Sequence, residues 1–261
     1  MSAILIEQDI IHYEVLGRGR PILFLHSWVG SWRYWIPMMQ AASVGYRAYA
    51  LDLYGFGDSA KNRQYSLEAQ AGLVEAFLEK LGIGRVAIVG HGLGALVGLL
   101  FALRHPGVVD RVMAVGFPLD ETMISGRLRN TSPVDLAESM LGKTPLSEPV
   151  TTDAAKTDPA AIVGSLSDVV LQYAGGLWVK LNTACLLVHG NRDVLVQPPR
   201  LDQIEKLPEH AHLIQFEEGG HFVMLDDSSK FNRLMNDFLS LPSGESPQQL
   251  QLKEEWKRRV R

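Results

Sequence analysis

Short, near-continuous apolar runs recur along the chain, and stretches with helical spacing separate them. The runs are PILFLHS at 21–27, RAYALDL at 47–53, RVAIVG at 85–90, DRVMAVGF at 110–117, ACLLVHG at 184–190 and HLIQF at 212–216. An apolar run that does not alternate with polar residues reads as a strand buried on both faces. Two further β-like segments, 3–6 and 10–15, open the chain, and Gly17 and Gly19 then mark a turn. Helical spacing is expected over 31–42, 66–83, from Leu93 to the stop at Pro106, over 199–206 and over 229–239, with Ser66, Leu67 and Glu68 composing a helix start. Strand and helix alternate, which predicts an α/β fold with a mainly parallel central sheet covered by helices on both faces.

The rhythm breaks between 118 and 181, where TSPVDLAESM and AAIVGSLSDVVLQYAGGLWVK have helical spacing and no buried strand occurs. This predicts one core built from 1–117 and 182–241, a helical cap insertion at 118–181, and a tail at 242–261. In the tail Leu252, Trp256 and Val260 recur every four residues, and Glu254 and Glu255 stand four before Arg258 and Arg259. That spacing reads as a short salt-bridged helix able to contact its own body, a second copy, a partner or a membrane surface.

Composition narrows the function classes. The 261 residues are 46% hydrophobic and 21% charged, a globular balance, and the net charge of -4 supplies no basic field for nucleic acid. Small molecules or proteins are the expected partners. Cys185 is the single cysteine, so no intrachain disulfide can form, and it is expected to be buried and inert. The opening MSAILIEQDIIHYEV lacks a basic segment ahead of an apolar one, and the apolar run near 93–103 is too short to span a bilayer. A cytoplasmic protein without stable membrane insertion is expected, and no residue pattern calls for a cofactor or a metal.

Candidate chemistry gathers where the strand RVAIVG enters a helix through Gly90-His91-Gly92-Leu93-Gly94. This is the strand–turn–helix context of the G-x-S-x-G nucleophile elbow, with glycine in place of serine. Four other segments follow the same order and spacing: His26-Ser27-Trp28, Asp52-Leu53-Tyr54-Gly55-Phe56-Gly57-Asp58-Ser59, Gly190-Asn191-Arg192-Asp193 and Gly219-Gly220-His221-Phe222. Together they resemble the α/β-hydrolase family, in its serine esterase and lactonase-like branch, over about residues 10–241. The resemblance implies Asp193 and His221 as triad acid and base, Gly92 at the nucleophile position, and the backbone N–H groups of Trp28 and Leu93 as an oxyanion hole. Ser27 stands where the family has glycine. With the cap, Ser27, Trp35, Phe117, Met123, Tyr173, Trp178, Phe222 and Met224 are candidates for an apolar substrate pocket.

The implied function is hydrolysis of small esters, lactones or other acyl compounds by machinery that cannot form an acyl-enzyme at Gly92. Loss of a triad serine costs about a millionfold in turnover. Two other readings stay open: a non-catalytic pseudoenzyme that binds a small apolar ligand or a protein, and general-base chemistry by His221 and Asp193 with no covalent intermediate. Gly90 to Ala95 also spell G-x-G-x-x-A, a dinucleotide fingerprint, but the acid it needs about 20 positions on would be Asp110, at the wrong end of the next strand. Asp193 has a plainer reading as a helix cap, and Asp52 and Asp58 as ties for their loop.

Overall fold

The computed structural model describes residues 2–61, 64–141, 144–145, 147–166 and 180–252. Eight strands form one sheet: β1 (Ser2–Ile6), β2 (Asp9–Gly17), β3 (Arg20–Leu25), β4 (Tyr46–Leu51), β5 (Val86–His91), β6 (Val109–Val115), β7 (Ala184–Gly190) and β8 (Ala211–Phe216). Their spatial order is β1-β2-β4-β3-β5-β6-β7-β8, antiparallel at β1–β2 and β2–β4 and parallel elsewhere. The apolar runs read from the sequence are these strands. β5 and β7 are buried along their whole length, as strands covered on both faces must be.

Three helices pack on the sheet ahead of β6: α1 (Ile36–Ala42), α2 (Leu67–Lys80) and α3 (Leu93–Arg104). Ser66 caps α2 by accepting the N–H of Ala69, the role its composition predicts. The helix expected over 31–42 divides, with a 3-10 turn over Trp32–Trp35 before α1. Pro37 is the physical reason, since its ring excludes an α-turn onto the carbonyl of Arg33.

Between β6 and β7 the described residues contain a 3-10 turn (Glu121–Met123) and the short helices α4 (Arg127–Asn130), α5 (Pro133–Met140), α6 (Glu148–Ala154) and α7 (Pro159–Ser165), with no strand among them. α6 is clamped to the loop after β3: Ser31 donates to Asp153, whose buried carboxylate also meets Arg33 at 3.3 Å and Lys156 at 3.2 Å. α7 begins where Asp158 donates its N–H to the Gly55 carbonyl and accepts from the Tyr65 hydroxyl. The helix expected over 199–206 is a single turn, α8 (Leu201–Ile204). After β8 come α9 (Val223–Asp226) and α10 (Ser228–Ser240). α10 buries Phe231, Leu234, Met235, Phe238 and Leu239, a stripe at helical spacing. Tyr173, Trp178 and the tail from 253 onward lie outside the described residues.

Register places the site. Leu25 of β3 pairs with Gly90 of β5, so Ser27 and Gly92, each two residues further on, leave the sheet side by side. Gly190 of β7 pairs with Phe216 of β8, which brings the loops carrying Asp193 and His221 to the same edge. Open parallel sheets bind ligands at this carboxyl edge.

Candidate active site

Gly92 joins β5 to α3 with φ +50° and ψ -108°. A residue with a Cβ is strained there and glycine is not. The turn is held by the Gly92 N–H donating to Val115 and the Gly94 N–H donating to His26, at 2.8 and 3.0 Å. Leu93 then heads α3. Among the described residues no hydrogen bond engages the backbone N–H of Leu93 or of Trp28.

The loops after β7 and β8 meet backbone to backbone. A Cβ on Gly190 would sit 2.2 Å from the Gly220 carbonyl oxygen, so only glycine permits the approach. This contact sets Asp193 beside His221, with Asp193 Oδ2 2.8 Å from His221 Nδ1. The other carboxylate oxygen, Oδ1, accepts the N–H groups of Leu195 and Val196 at 2.8 and 2.9 Å. Asp193 therefore caps no helix, the next one starting only at Leu201; one of its oxygens ties down the turn that follows it and the other faces His221. Burial raises the Asp193 pKa, but the facing His221, its hydrogen bond and the Val196 N–H outweigh burial and hold the carboxyl below the usual range. An ionised carboxylate only accepts, so in the neutral ring the His221 proton sits on Nδ1 and Nε2 is the acceptor.

That nitrogen is not empty-handed. Ser27 Oγ lies 2.9 Å from His221 Nε2 and donates to it. The sequence places Ser27 on a pocket wall; the structure puts its hydroxyl at the end of the Asp193–His221 relay. The space is the one an elbow side chain would use, since a Cβ on Gly92 would fall 2.3 Å from Ser27 Oγ. The Ser27 backbone is fixed on both sides: its N–H donates to Tyr34 Oη at 2.8 Å, and its carbonyl accepts from His26 Nδ1 at 2.7 Å. His26 accepts the Leu53 N–H through Nε2, so it is neutral, and burial lowers its pKa against the pull of Asp52 and of the Ser27 bond.

Below these groups Tyr34 Oη meets His91 Nδ1 at 3.0 Å, and the His91 ring stacks at a tilt 4.3 Å from that of His221. Burial first, then the neighbouring His221, pushes the His91 pKa well below its ordinary value. Burial also raises the Tyr34 phenol well above its own, despite the Ser27 N–H. His26 and His91 belong to the motifs read from sequence but carry no role there, and Tyr34 lies outside every motif. Their hydrogen-bond partners have no sequence signal, because a polar residue does not announce what it will meet in the fold.

The site is closed. Ser27 and Trp28 are 0% exposed and His221 3%. The Trp28 indole lies on the elbow, its Cζ3 3.0 Å from where a Gly92 Cβ would be, and its Nε1 donates to Ser165 of α7 at 3.0 Å. Trp35, Phe117, Met123, Phe222 and Met224, candidates for the apolar pocket, are all buried. Trp35 lies against Phe24, Tyr34 and His91, Phe222 meets Tyr34, His91 and His221 edge-on, and the Met123 sulfur accepts the Leu119 N–H.

Asp110, the acid the dinucleotide reading would need, pairs with Arg85 and Arg111 instead. His12, Asp52 and Asp58 form a group with ligand atoms within 4.8 Å of one another. Its acids are engaged by protein donors: Asp52 accepts the N–H groups of Trp32 and Asp58, and Asp58 meets Arg33 and Lys156.

Residues 20–144 match the family model described as alpha/beta hydrolase fold. The chain is 26% identical to the putative carbamate hydrolase RutD of Stutzerimonas stutzeri, over 90% of this chain and 98% of that protein. It is 30% identical to epoxide hydrolase 4 of Mus musculus, over 41% of its own length and 31% of that protein. Among solved structures, the enol-lactonase from Burkholderia xenovorans superposes with a TM-score of 0.76 at 18% identity, covering 92% of this chain and all of that one, 100%. No helix among the described residues is long and apolar enough to cross a membrane. Sheet order, elbow geometry and these likenesses agree: the chain is an α/β-hydrolase-fold protein.

Proposed function

We propose that this protein hydrolyses small esters, lactones or related acyl compounds, with Asp193 and His221 as its acid–base relay and Gly92 at the family's nucleophile position. The observation that carries the reading is the relay itself: an anchored carboxylate, a histidine with its tautomer fixed, and a hydroxyl donating to the free nitrogen. A relay of this kind moves a proton onto and off a reacting oxygen. The N–H groups of Trp28 and Leu93 are the donors for charge developing on a substrate carbonyl. A carbamate hydrolase and an enol-lactonase among the similar proteins agree with acyl chemistry. Activity of the purified chain on p-nitrophenyl acetate and butyrate and on five- and six-membered lactones tests the reading. Turnover that His221→Ala and Asp193→Asn reduce by at least about a hundredfold is expected. Turnover indifferent to both variants would sink it.

The closed site favours a second reading, a non-catalytic protein that binds a small apolar ligand or a partner. Thermal stabilisation by such acyl compounds, with no product formed over days, would select it.

A further inference from the structure

We infer that the nucleophile of this site is Ser27, carried on the loop after β3 in place of a serine at the elbow; the inference rests on the hydrolase reading above. Three independent features converge on this hydroxyl. Its oxygen lies 2.9 Å from His221 Nε2, on the nitrogen that the Asp193 bond leaves unprotonated. It occupies the volume next to Gly92, 2.3 Å from where a Cβ there would stand, so a side chain at 92 and the present Ser27 rotamer exclude each other. Its backbone is held on both sides by buried side chains, Tyr34 on the N–H and His26 on the carbonyl, which fixes the direction of the Cα–Cβ bond. Only the first of these is needed for a serine that merely fills space. The rigid two-sided mounting is what a nucleophile requires, because a reacting oxygen misplaced by an ångström loses much of its rate.

The exchange preserves the rest of the machinery. In the family pattern one oxyanion N–H belongs to the residue after the nucleophile and the other to the loop after an earlier strand. Moving the hydroxyl from 92 to 27 interchanges those two descriptions and leaves the same pair of groups, Trp28 and Leu93. The step is then ordinary acyl transfer. His221 Nε2 takes the Ser27 proton as Oγ bonds to the carbonyl carbon, and the C=O electron pair moves to oxygen. Collapse breaks the carbon–leaving-group bond, and His221 returns the proton to the leaving oxygen. A solvent water then gives a proton to His221, adds to the acyl carbon and releases the acid, and His221 reprotonates Ser27. The Trp28 indole must swing off the elbow to admit the acyl group, breaking its bond to Ser165.

A fluorophosphonate probe, followed by peptide mapping of the purified full chain, tests this alongside the ester and lactone assays. The adduct is expected on Ser27. Ser27→Ala should lose labelling and at least about a hundredfold of ester turnover while still unfolding in one cooperative transition, lowered by no more than loss of the buried bond to His221 accounts for, and Ser27→Gly combined with Gly92→Ser should carry the adduct to position 92. Ser27→Cys supplies a check that does not need ester turnover: iodoacetamide should modify residue 27 well ahead of the buried Cys185, and His221→Ala should abolish that advantage. Hydrolysis by the unmodified chain that survives Ser27→Ala, with any adduct elsewhere, would overturn the inference and leave the hydrolase reading standing. So would an unmodified chain that is inert to probe and esters while the double variant gains both. Silence of both proteins in every assay would bring down the inference and the hydrolase reading together.

Discussion

Restoring a serine at the elbow by Gly92→Ser looks from sequence like a repair, with at most a modest cost for a side chain at positive φ. The structure makes it a collision. The new Cβ enters at φ +50°, 2.3 Å from Ser27 Oγ and 3.0 and 3.1 Å from two Trp28 ring carbons. Backbone strain at such a position costs about 1–3 kcal/mol. Forcing an extra group into a packed interior costs about 1–3 kcal/mol more. The single variant should therefore lose about 2–6 kcal/mol. Ser27→Gly alone leaves His221 Nε2 without its buried donor, a loss of about 1–3 kcal/mol. Combined, the two changes remove the oxygen-to-Cβ clash and return a hydroxyl to His221, so they should cost less than the sum of the singles by about 1–3 kcal/mol. Urea unfolding of the four proteins, extrapolated to water with matched slopes, measures this coupling. A Gly92→Ser variant within about 0.5 kcal/mol of the parent, or a coupling indistinguishable from zero, would refute the claim that the two positions share one space.

Other parts of the structure are equally exposed to test. His26, His91 and His189 all have pKa values lowered by burial, so below the ordinary histidine value near 6.5 the unfolded chain binds more protons than the folded one. Stability should fall as pH falls below about 6.5, each histidine adding up to about 1.4 kcal/mol per pH unit, and urea midpoints flat between pH 7 and 5 would contradict it. The lowered Asp193 pKa acts in the same direction but further down, its contribution being lost only as pH drops below the usual carboxylate range. Asp153→Ala should destabilise by about 2 kcal/mol, less than a fully buried pair because Arg33 and Lys156 reach water, and should expose α6 to protease first. Arg111, 1% exposed, donates to the carbonyls of Phe238 and Pro242, while Asp110 keeps Arg85, so Arg111→Met should cost about 1–3 kcal/mol in thermal or urea unfolding, from the carbonyls left without a donor. Burial pushes the Cys185 thiol up to about 12, and it should resist alkylation until urea unfolds the chain.

Periodicity carried the fold because buried strands leave few ways to be written: each apolar run from PILFLHS to HLIQF is a strand, and the helix cap at Ser66 is where composition puts it. The pairing of Asp193 with His221 was legible for a related reason, since Gly190 and the Gly219-Gly220 pair mark a backbone contact that brings the two side chains together. Ser27 was visible as a departure from a glycine pattern, but its direction was not. Which way a hydroxyl points depends on Tyr34 and His26, whose bonds to the Ser27 backbone have no sequence signature. The burial of Trp35, Phe117, Met123, Phe222 and Met224 had no signature of its own, because apolar residues near a site look the same in sequence whether they line space or fill it. Trp28 shows the difference most clearly, its N–H assigned from motif and its ring found covering the elbow.

The single hydrogen bond from that ring to Ser165 ties access to the site to the position of α7. A substrate that can enter only when the indole has left binds a minority conformer, and its apparent affinity is its intrinsic affinity scaled by that conformer's share of the ensemble. An open share of about 1% would weaken apparent binding a hundredfold without touching one contact in the bound state. On the proposed acyl-hydrolase reading, replacing Ser165 should then tighten substrate binding by conformational selection.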